Sequence, residues 1–170
     1  MSRGFVKEDD QEEAPMIPPR AALPEEVTNY VTPGGLRELH KEREDLEEEI
    51  ANLTELNELE RRRSLALLNG KLNLLLSRIN TAHILEPEEQ NHEEIRFGAL
   101  VTYTLATSEK PVEIQIVGVD EADVKKGKIA FIAPIAKALT GKKEGEEAIL
   151  DLGDETRHLK IKKVSYPDEE

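Results

Sequence analysis

The sequence predicts an α+β protein, in which a hairpin of two helices precedes a mainly antiparallel sheet with one short helix. Two observations lead to this prediction. Between residues 36 and 82, apolar side chains recur in steps of three, four or seven, which is the a/d pattern of a coiled coil. Beyond residue 97, apolar residues alternate with polar ones, which is the period of strands. Helical and strand segments are therefore separate along the chain, as in α+β folds.

The first arm of the hairpin begins at Thr32 and Pro33. A threonine can cap the free amides of a helix start, and proline suits the first helical position. Gly34 and Gly35 weaken the first turn, so we expect close packing there. The apolar seam of this arm comprises Leu36, Leu39, Leu46, Ile50 and Leu53.

The second arm runs from about Leu59 to Ala82, and Gly70 interrupts it at a cost of about 1 kcal/mol relative to alanine. Its seam comprises Leu65, Leu68, Leu72, Leu75, Ile79 and Ala82. The two seams lose register between about Leu56 and Ser64, so we expect a reversal there, with Asn52–Glu60 as the candidate tip. Because no glycine or proline forces that reversal, the sequence also permits one continuous rod that dimerises.

The sheet follows in the second half of the chain. Pro134–Leu139, closed by Gly141, predicts its short helix. The predicted strands are Ala99–Ala106, Val112–Val117, Ile129–Ile132, Ala148–Leu152 and His158–Val164.

Composition divides the chain into five segments. Prolines and acids with few apolar residues predict a flexible acidic leader at 1–30, and the acidic stretch around Pro87 predicts a linker. The predicted segments are the leader 1–30, the hairpin 31–85, the linker 86–95, the sheet domain 96–166 and the tail 167–170.

The charge of the chain limits its function. The 170 residues carry 36 acidic and 23 basic side chains, a net charge of −13. Autonomous nucleic-acid binding rests on neutralising phosphates, so we expect contact with nucleic acid only through a partner that has basic surfaces. The absence of cysteine excludes disulfides and thiolate metal sites. No apolar run is long enough to cross a bilayer and the N-terminus lacks a signal-peptide core, which predicts a cytoplasmic protein without membrane contact.

Motifs of common active sites are missing. The four histidines are scattered without zinc spacing, and no glycine-rich loop for nucleotides is present. No serine stands in a nucleophile context. These residue patterns therefore indicate no metal, nucleotide or nucleophile site of the common kinds.

Four stretches together resemble the Gre family of bacterial transcript-cleavage and elongation factors. The first matches the family's opening pattern V-T-x-x-G-x-x-x-L-x-x-E, and the second is similar to the end of its second helix. The other two match its C-terminal domain. The four stretches are Val31-Thr32 with Gly35, Leu39 and Glu42; Gly70–Leu85; Phe97-Gly98-Ala99; and Ile116–Asp123 with Pro134–Lys142.

The resemblance implies an antiparallel coiled-coil hairpin and an FKBP-like sheet domain. It implies that the sheet domain docks on RNA polymerase at the secondary channel, which the hairpin enters. Acidic residues at the hairpin tip then help to hold a Mg²⁺ ion shared with the polymerase active site, and the polymerase cleaves backtracked RNA. Such a factor rescues arrested complexes, has no cofactor of its own and is not itself an enzyme, because the polymerase performs the hydrolysis. A hairpin is expected to be a monomer, whereas an open rod should dimerise.

The tip departs from the family. The motif G-D-L-x-E-N-A-E-Y is missing, and Ala51 and Thr54 fall where its Asp and Glu would lie. Glu55 and Glu58 are the nearby carboxylates, and we name them as candidate Mg²⁺ ligands. Each arm of about 22 residues reaches only about 33 Å. Two alternatives therefore stay open: a cleavage-inactive regulator that binds the channel, and a coiled-coil oligomerisation or adaptor protein.

The resemblance also suggests polymerase-docking residues. Asp120, Glu121 and Asp123 match the family well, although acids at this position can equally cap backbone amides in a turn. The family's S-P-x-A turn matches Pro134, Ile135 and Ala136, with Ala133 in place of the polar residue.

Overall fold

The computed structural model describes residues 13–86 and 91–167. Helix α1 spans Pro33–Ala51 and helix α2 spans Glu58–Asn80. Between them the chain reverses within the predicted tip, so the helical hairpin is confirmed and the open rod is not. The reversal comes earlier than the loss of register at Leu56–Ser64 indicated, because Asn57 caps α2 and residues 58–64 are already helical. At the base, β1 (Tyr30–Val31) pairs in parallel with β2 (His83–Ile84), a pairing that the sequence analysis did not predict.

Local capping explains where the helices begin. The Thr32 side chain accepts a hydrogen bond of 2.9 Å from the Gly35 amide, and Pro33 occupies the first turn of α1. Asn57 caps α2 in the same way, since its side chain accepts from the amides of Leu59 and Glu60. These caps satisfy amides that have no partner inside the helix.

Most of the predicted seam packs between the two arms, but Leu53 and Leu65, near the tip, are half-buried and lie outside the cluster. Leu75 is fully buried, and each leucine moved out of water contributes roughly 1.5–3 kcal/mol. The buried cluster comprises Val31, Leu39, Leu46, Leu68 and Leu75, with Leu36, Ile50, Leu72, Ile79 and Ala82 packed against it. Each arm of the hairpin therefore covers the apolar face of the other within one chain.

The sheet has five strands in the order β5-β4-β3-β7-β6. They are β3 (Leu100–Leu105), β4 (Ser108–Val117), β5 (Lys128–Ala130), β6 (Glu147–Asp151) and β7 (Thr156–Ser165). The predicted α+β class and all five strands are confirmed. The sheet is not wholly antiparallel, however, because β4 and β5 pair in parallel across the crossover that contains Gly118 and Gly127.

One helix covers the sheet. Helix α3 spans Pro134–Leu139, as predicted, and buries Ala136 and Leu139. The core beneath it comprises Ile95, Phe97, Ala99, Val101, Tyr103, Ile114, Ile116, Ala148, Leu150, Leu159 and Ile161.

The predicted linker, residues 86–95, ends too late. Ile95 is fully buried in the sheet core, and its amide donates a 2.8 Å hydrogen bond to the Lys142 carbonyl. Ile95 lies two residues before Phe97, so its side chain extends the alternating apolar residues of the core towards the N-terminus, which explains the difference. Residues 87–90 of the predicted linker lie outside the described residues.

The predicted leader, residues 1–30, is not a free tail over its described part. In residues 13–29, Ile17 contacts α2, Arg20 forms ion pairs, and Asn29 is buried. The composition is poor in apolar residues, but these three side chains find partners distant in sequence. Residues 1–12, and 168–170 of the predicted tail, lie outside the described residues.

In the described ranges, 13–86 and 91–167, no helix combines the length and apolar character needed to cross a membrane.

Candidate functional site

The tip of the hairpin carries both candidate metal ligands. Glu55 lies in the connection between the helices, where its carboxylate accepts a 3.1 Å hydrogen bond from the Asn57 amide. Glu58 opens α2, and its Oε1 lies 3.5 Å from Arg62 Nε. Both side chains are exposed to solvent. The structure thus places the two carboxylates at the same end of the rod.

The donors at the tip fit a shared metal site rather than a complete one. Mg²⁺ prefers carboxylate oxygens and keeps several waters, which suits Glu55 and Glu58. Across the described ranges, however, no group of three or more His, Cys, Asp or Glu residues is placed to hold a metal ion. Glu58 and Glu60 also complement the positive end of the α2 dipole, which is a purely structural role.

An apolar side chain shares this tip. Leu56 is 99% exposed, between Glu55 and Asn57. Leu56 belongs to neither apolar seam, which could have indicated an exposed leucine at the tip, but the sequence analysis did not single it out. The tip therefore offers carboxylates and one unburied leucine.

Asp120 lies between the hairpin and the sheet domain rather than on a free surface. Its side chain is only 7% exposed, and its Oδ1 accepts a 2.9 Å hydrogen bond from Arg20 Nε. Its Oδ2 forms an ion pair with Arg78 Nε at 3.1 Å. One acid of the sheet domain therefore binds both the N-terminal segment and α2.

Glu121 makes the second contact between the two parts. Its side chain is 5% exposed, and it accepts hydrogen bonds from Thr32 Oγ1 at 2.6 Å and from Lys128 Nζ at 3.3 Å. A Cβ on Gly35 would lie 2.5 Å from Glu121 Oε2. The close packing expected at the glycines of the first turn is therefore confirmed for Gly35.

The remaining predicted docking residues are divided between surface and core. The Asp123 side chain accepts from the Lys125 amide at 3.1 Å and caps the 3-10 turn Val124–Lys126. In the proline turn, Pro134 is exposed, Ile135 is half-buried against the core, and Ala136 is fully buried. Ala133 precedes α3 without a side-chain cap, in line with the lost polar residue.

Arg20 is the functional candidate that the sequence analysis missed. Its Nη1 and Nη2 donate to the two carboxylate oxygens of Glu42 at 2.8 and 3.0 Å, while its Nε donates to Asp120. The hydrogen bond to Glu42, followed by Asp120, raises the pKa of the guanidinium above its ordinary value. A single arginine among prolines carries no local pattern that would indicate these partners.

Comparison with known proteins gives one family match in the sheet domain and several similar proteins. The family model described as "Transcription elongation factor, GreA/GreB, C-term" matches residues 89–166. The chain is 33% identical over 101 residues to transcription elongation factor GreA of Thermodesulfovibrio yellowstonii, covering 59% of this chain and 64% of that protein. It is 41% identical over 100 residues to GreA of Neisseria meningitidis serogroup A, covering 58% and 63%.

The chain thus spans just under two thirds of the length of these curated relatives. A solved structure of the elongation factor GreA/GreB from Nitrosomonas europaea is also similar, at 19% identity and a TM-score of 0.40. That likeness covers 81% of this chain and 98% of the other.

Proposed function

We propose that the chain belongs to the GreA/GreB family, whose C-terminal model matches residues 89–166, and that it is a Gre-type elongation factor acting on bacterial RNA polymerase. One observation carries the proposal. A sheet domain that matches this family is joined to a helical rod by the largely buried ion pair of Arg78 with Asp120 and by the hydrogen bond from Thr32 to Glu121, and the rod ends in exposed carboxylates. In this proposal the hairpin extends towards a distant site on the partner, and the sheet domain binds the partner's surface.

The two parts divide the work. The sheet domain docks at the mouth of the polymerase secondary channel, and the hairpin enters that channel towards the active site. With 19 and 23 residues in α1 and α2, the helices extend about 28 and 35 Å. The factor meets nucleic acid only within the transcription complex, which suits its net charge of −13.

At the tip, Glu55 and Glu58 are the residues that would hold a Mg²⁺ ion shared with the polymerase. When bound, such an ion activates water and stabilises the charge on the scissile phosphate. The chain itself contributes carboxylate oxygens and the rigidity that delivers them. The hydrolysis of backtracked RNA belongs to the polymerase, so the factor is not an enzyme and has no cofactor of its own.

A second candidate function is a cleavage-inactive regulator that occupies the channel. The pairing of Glu58 with Arg62 favours it, since that carboxylate already has a cationic partner. The short arms of the hairpin favour this regulator as well, because they limit how far the tip extends into the channel. By contrast, the burial of the seam inside one hairpin argues against the coiled-coil oligomer and for a monomer. In either polymerase-binding role the protein works in the cytoplasm.

The test is cleavage of nascent RNA in a purified, stalled and backtracked polymerase complex with Mg²⁺. Wild type is compared with Glu55→Ala/Glu58→Ala, and polymerase binding is measured in parallel. Glu44→Ala/Glu49→Ala is the control, because it removes the same charge from exposed positions of α1.

Each outcome of this assay has a distinct meaning. Cleavage that only the tip variant loses, with binding intact, supports the cleavage-stimulating factor. Binding without cleavage in the wild type supports the regulator. If the wild-type protein fails to bind polymerase, the proposed function is wrong.

A further inference from the structure

We propose that residues 17–21 form a strap that sets the angle of the hairpin on the sheet domain, with Arg20 as its positioning residue. The strap lies outside every helix and strand, yet its side chains contact both helices and the sheet domain. Its use in aiming the tip at the polymerase active site rests on the proposed function. Its effect on the hairpin angle does not.

Arg20 joins three parts of the molecule at one point. Its guanidinium binds Glu42 of α1 through two hydrogen bonds and Asp120 of the sheet domain through a third. A planar arginine fork held by two carboxylates has a defined orientation as well as a favourable energy. A rotation of the hairpin on the sheet domain would have to separate Glu42 from Asp120 and break this arrangement.

The strap is anchored on α2 as well. A Cβ on Gly70 would lie 2.0 Å from Ile17 Cδ1, so the missing side chain makes the space that Ile17 occupies. Arg78, which pairs with Asp120, also donates a hydrogen bond to the Ala21 carbonyl. The interruption of α2 by glycine, which costs about 1 kcal/mol, thus has a structural reason in the strap.

The strap positions the two parts but is not needed to fold either of them. Neither buried cluster, that of the hairpin or that of the sheet, includes a strap residue. The contact between Thr32 and Glu121 and the ion pair between Arg78 and Asp120 do not involve strap side chains. Loss of Arg20 should therefore widen the range of hairpin angles while both parts stay folded.

The angle can be measured without polymerase, by pulsed electron paramagnetic resonance between two spin labels. The chain has no cysteine, so Glu49→Cys on α1 and Glu109→Cys on β4, both exposed, take the labels without background. Arg20→Ala and Gly70→Ala should each at least double the width of the distance distribution. The second change keeps Arg20 but displaces Ile17 and improves helix propensity.

Three controls separate positioning from folding. Arg61→Ala removes an exposed arginine of α2 and should leave the distribution unchanged. Arg20→Lys retains the positive charge but not the planar guanidinium, so its distance distribution should be narrower than that of Arg20→Ala and wider than that of wild type. Circular dichroism should show unchanged helix content in every variant.

The polymerase assay then separates this proposal from the proposed function. If the hairpin is aimed by the strap, Arg20→Ala should still bind polymerase through the sheet domain but lose most of the RNA cleavage that depends on Glu55 and Glu58. A narrow, wild-type distance distribution in Arg20→Ala and Gly70→Ala would overturn the strap. A widened distribution in a protein that does not bind polymerase supports the strap and contradicts the proposed function.

Discussion

The backbone of Tyr30 lies directly against Gly118, so closely that a Cβ on the glycine would come within 2.6 Å of the Tyr30 carbonyl oxygen. This contact joins the first residue of β1 to the loop that follows β4. Because the obstructing atom belongs to the backbone, no change of rotamer can relieve it. The hairpin base and the sheet domain therefore meet at a position that only glycine allows.

Gly118→Ala should destabilise the protein by about 1–3 kcal/mol, the usual cost of overpacking. Urea denaturation followed by circular dichroism measures the change. Gly153→Ala is the comparison: that glycine has a φ of +90° but open space around the missing Cβ, so it should cost only about 1 kcal/mol. Equal stability of Gly118→Ala and wild type would show that the two segments move apart easily.

Asp120→Ala should cost about 3 kcal/mol, since it leaves two largely buried arginines without their shared carboxylate. The side chains of Arg20 and Arg78 are only 18% and 14% exposed. Glu42→Ala removes a carboxylate that is 45% exposed, and should cost less than about 1 kcal/mol. Free energies of unfolding in urea test this order, and the reverse order would contradict the central role of Asp120.

Leu75→Ala should cost about 2–5 kcal/mol, because the leucine is fully buried between the arms of the hairpin. Its neighbour Leu74 is 40% exposed, so Leu74→Ala should cost markedly less. Thermal and urea unfolding of the pair measure the difference. Similar losses in both variants would indicate that the seam is placed on the wrong face of α2.

Alkaline pH should weaken the fold partly through Tyr103. Burial raises the pKa of its hydroxyl above the ordinary value, so the folded state favours the neutral form. This contribution is complete below the unfolded pKa of about 10, and it is lost as pH rises through that value towards the folded pKa. Melting temperatures between pH 9 and 11 should therefore fall less steeply in Tyr103→Phe than in wild type. Parallel curves for the two proteins would contradict this.

Local patterns in the sequence predict the arms and strands, because each seam or alternation extends over neighbouring residues. Helix α3 is predicted to the residue, since proline and glycine mark its ends. The strap could not be predicted in this way. Arg20 and Asp120 are 100 positions apart, and neither belongs to a repeating pattern. In the sequence, Asp120 and Glu121 look like surface residues of a turn. Only the fold brings their partners to them: two arginines to Asp120, and Lys128 and the Thr32 hydroxyl to Glu121.

Glycines carried a signal that the sequence analysis could only partly use. The cost of a glycine to a helix is known from the residue type alone; at Gly35 that cost led us to expect close packing, whereas at Gly70 no neighbour was predicted. Which neighbour it is depends on tertiary structure: Glu121 for the first and Ile17 for the second. The same limit applies to the tip, where Glu55 and Glu58 were placed correctly at the reversal but their role depends on a partner.

Leu56 provides the last prediction, which tests whether the tip enters a partner. Because this side chain is 99% exposed, Leu56→Ser should leave the melting temperature of the free protein within about 1 °C of wild type. If the tip is enclosed by polymerase, burying the leucine contributes roughly 1.5–3 kcal/mol, so the variant should bind at least tenfold more weakly. Leu56→Met keeps an apolar side chain and should bind like wild type. Unchanged affinity of Leu56→Ser, measured by competition for polymerase, would mean that the tip stays in solvent and that binding rests on the sheet domain alone.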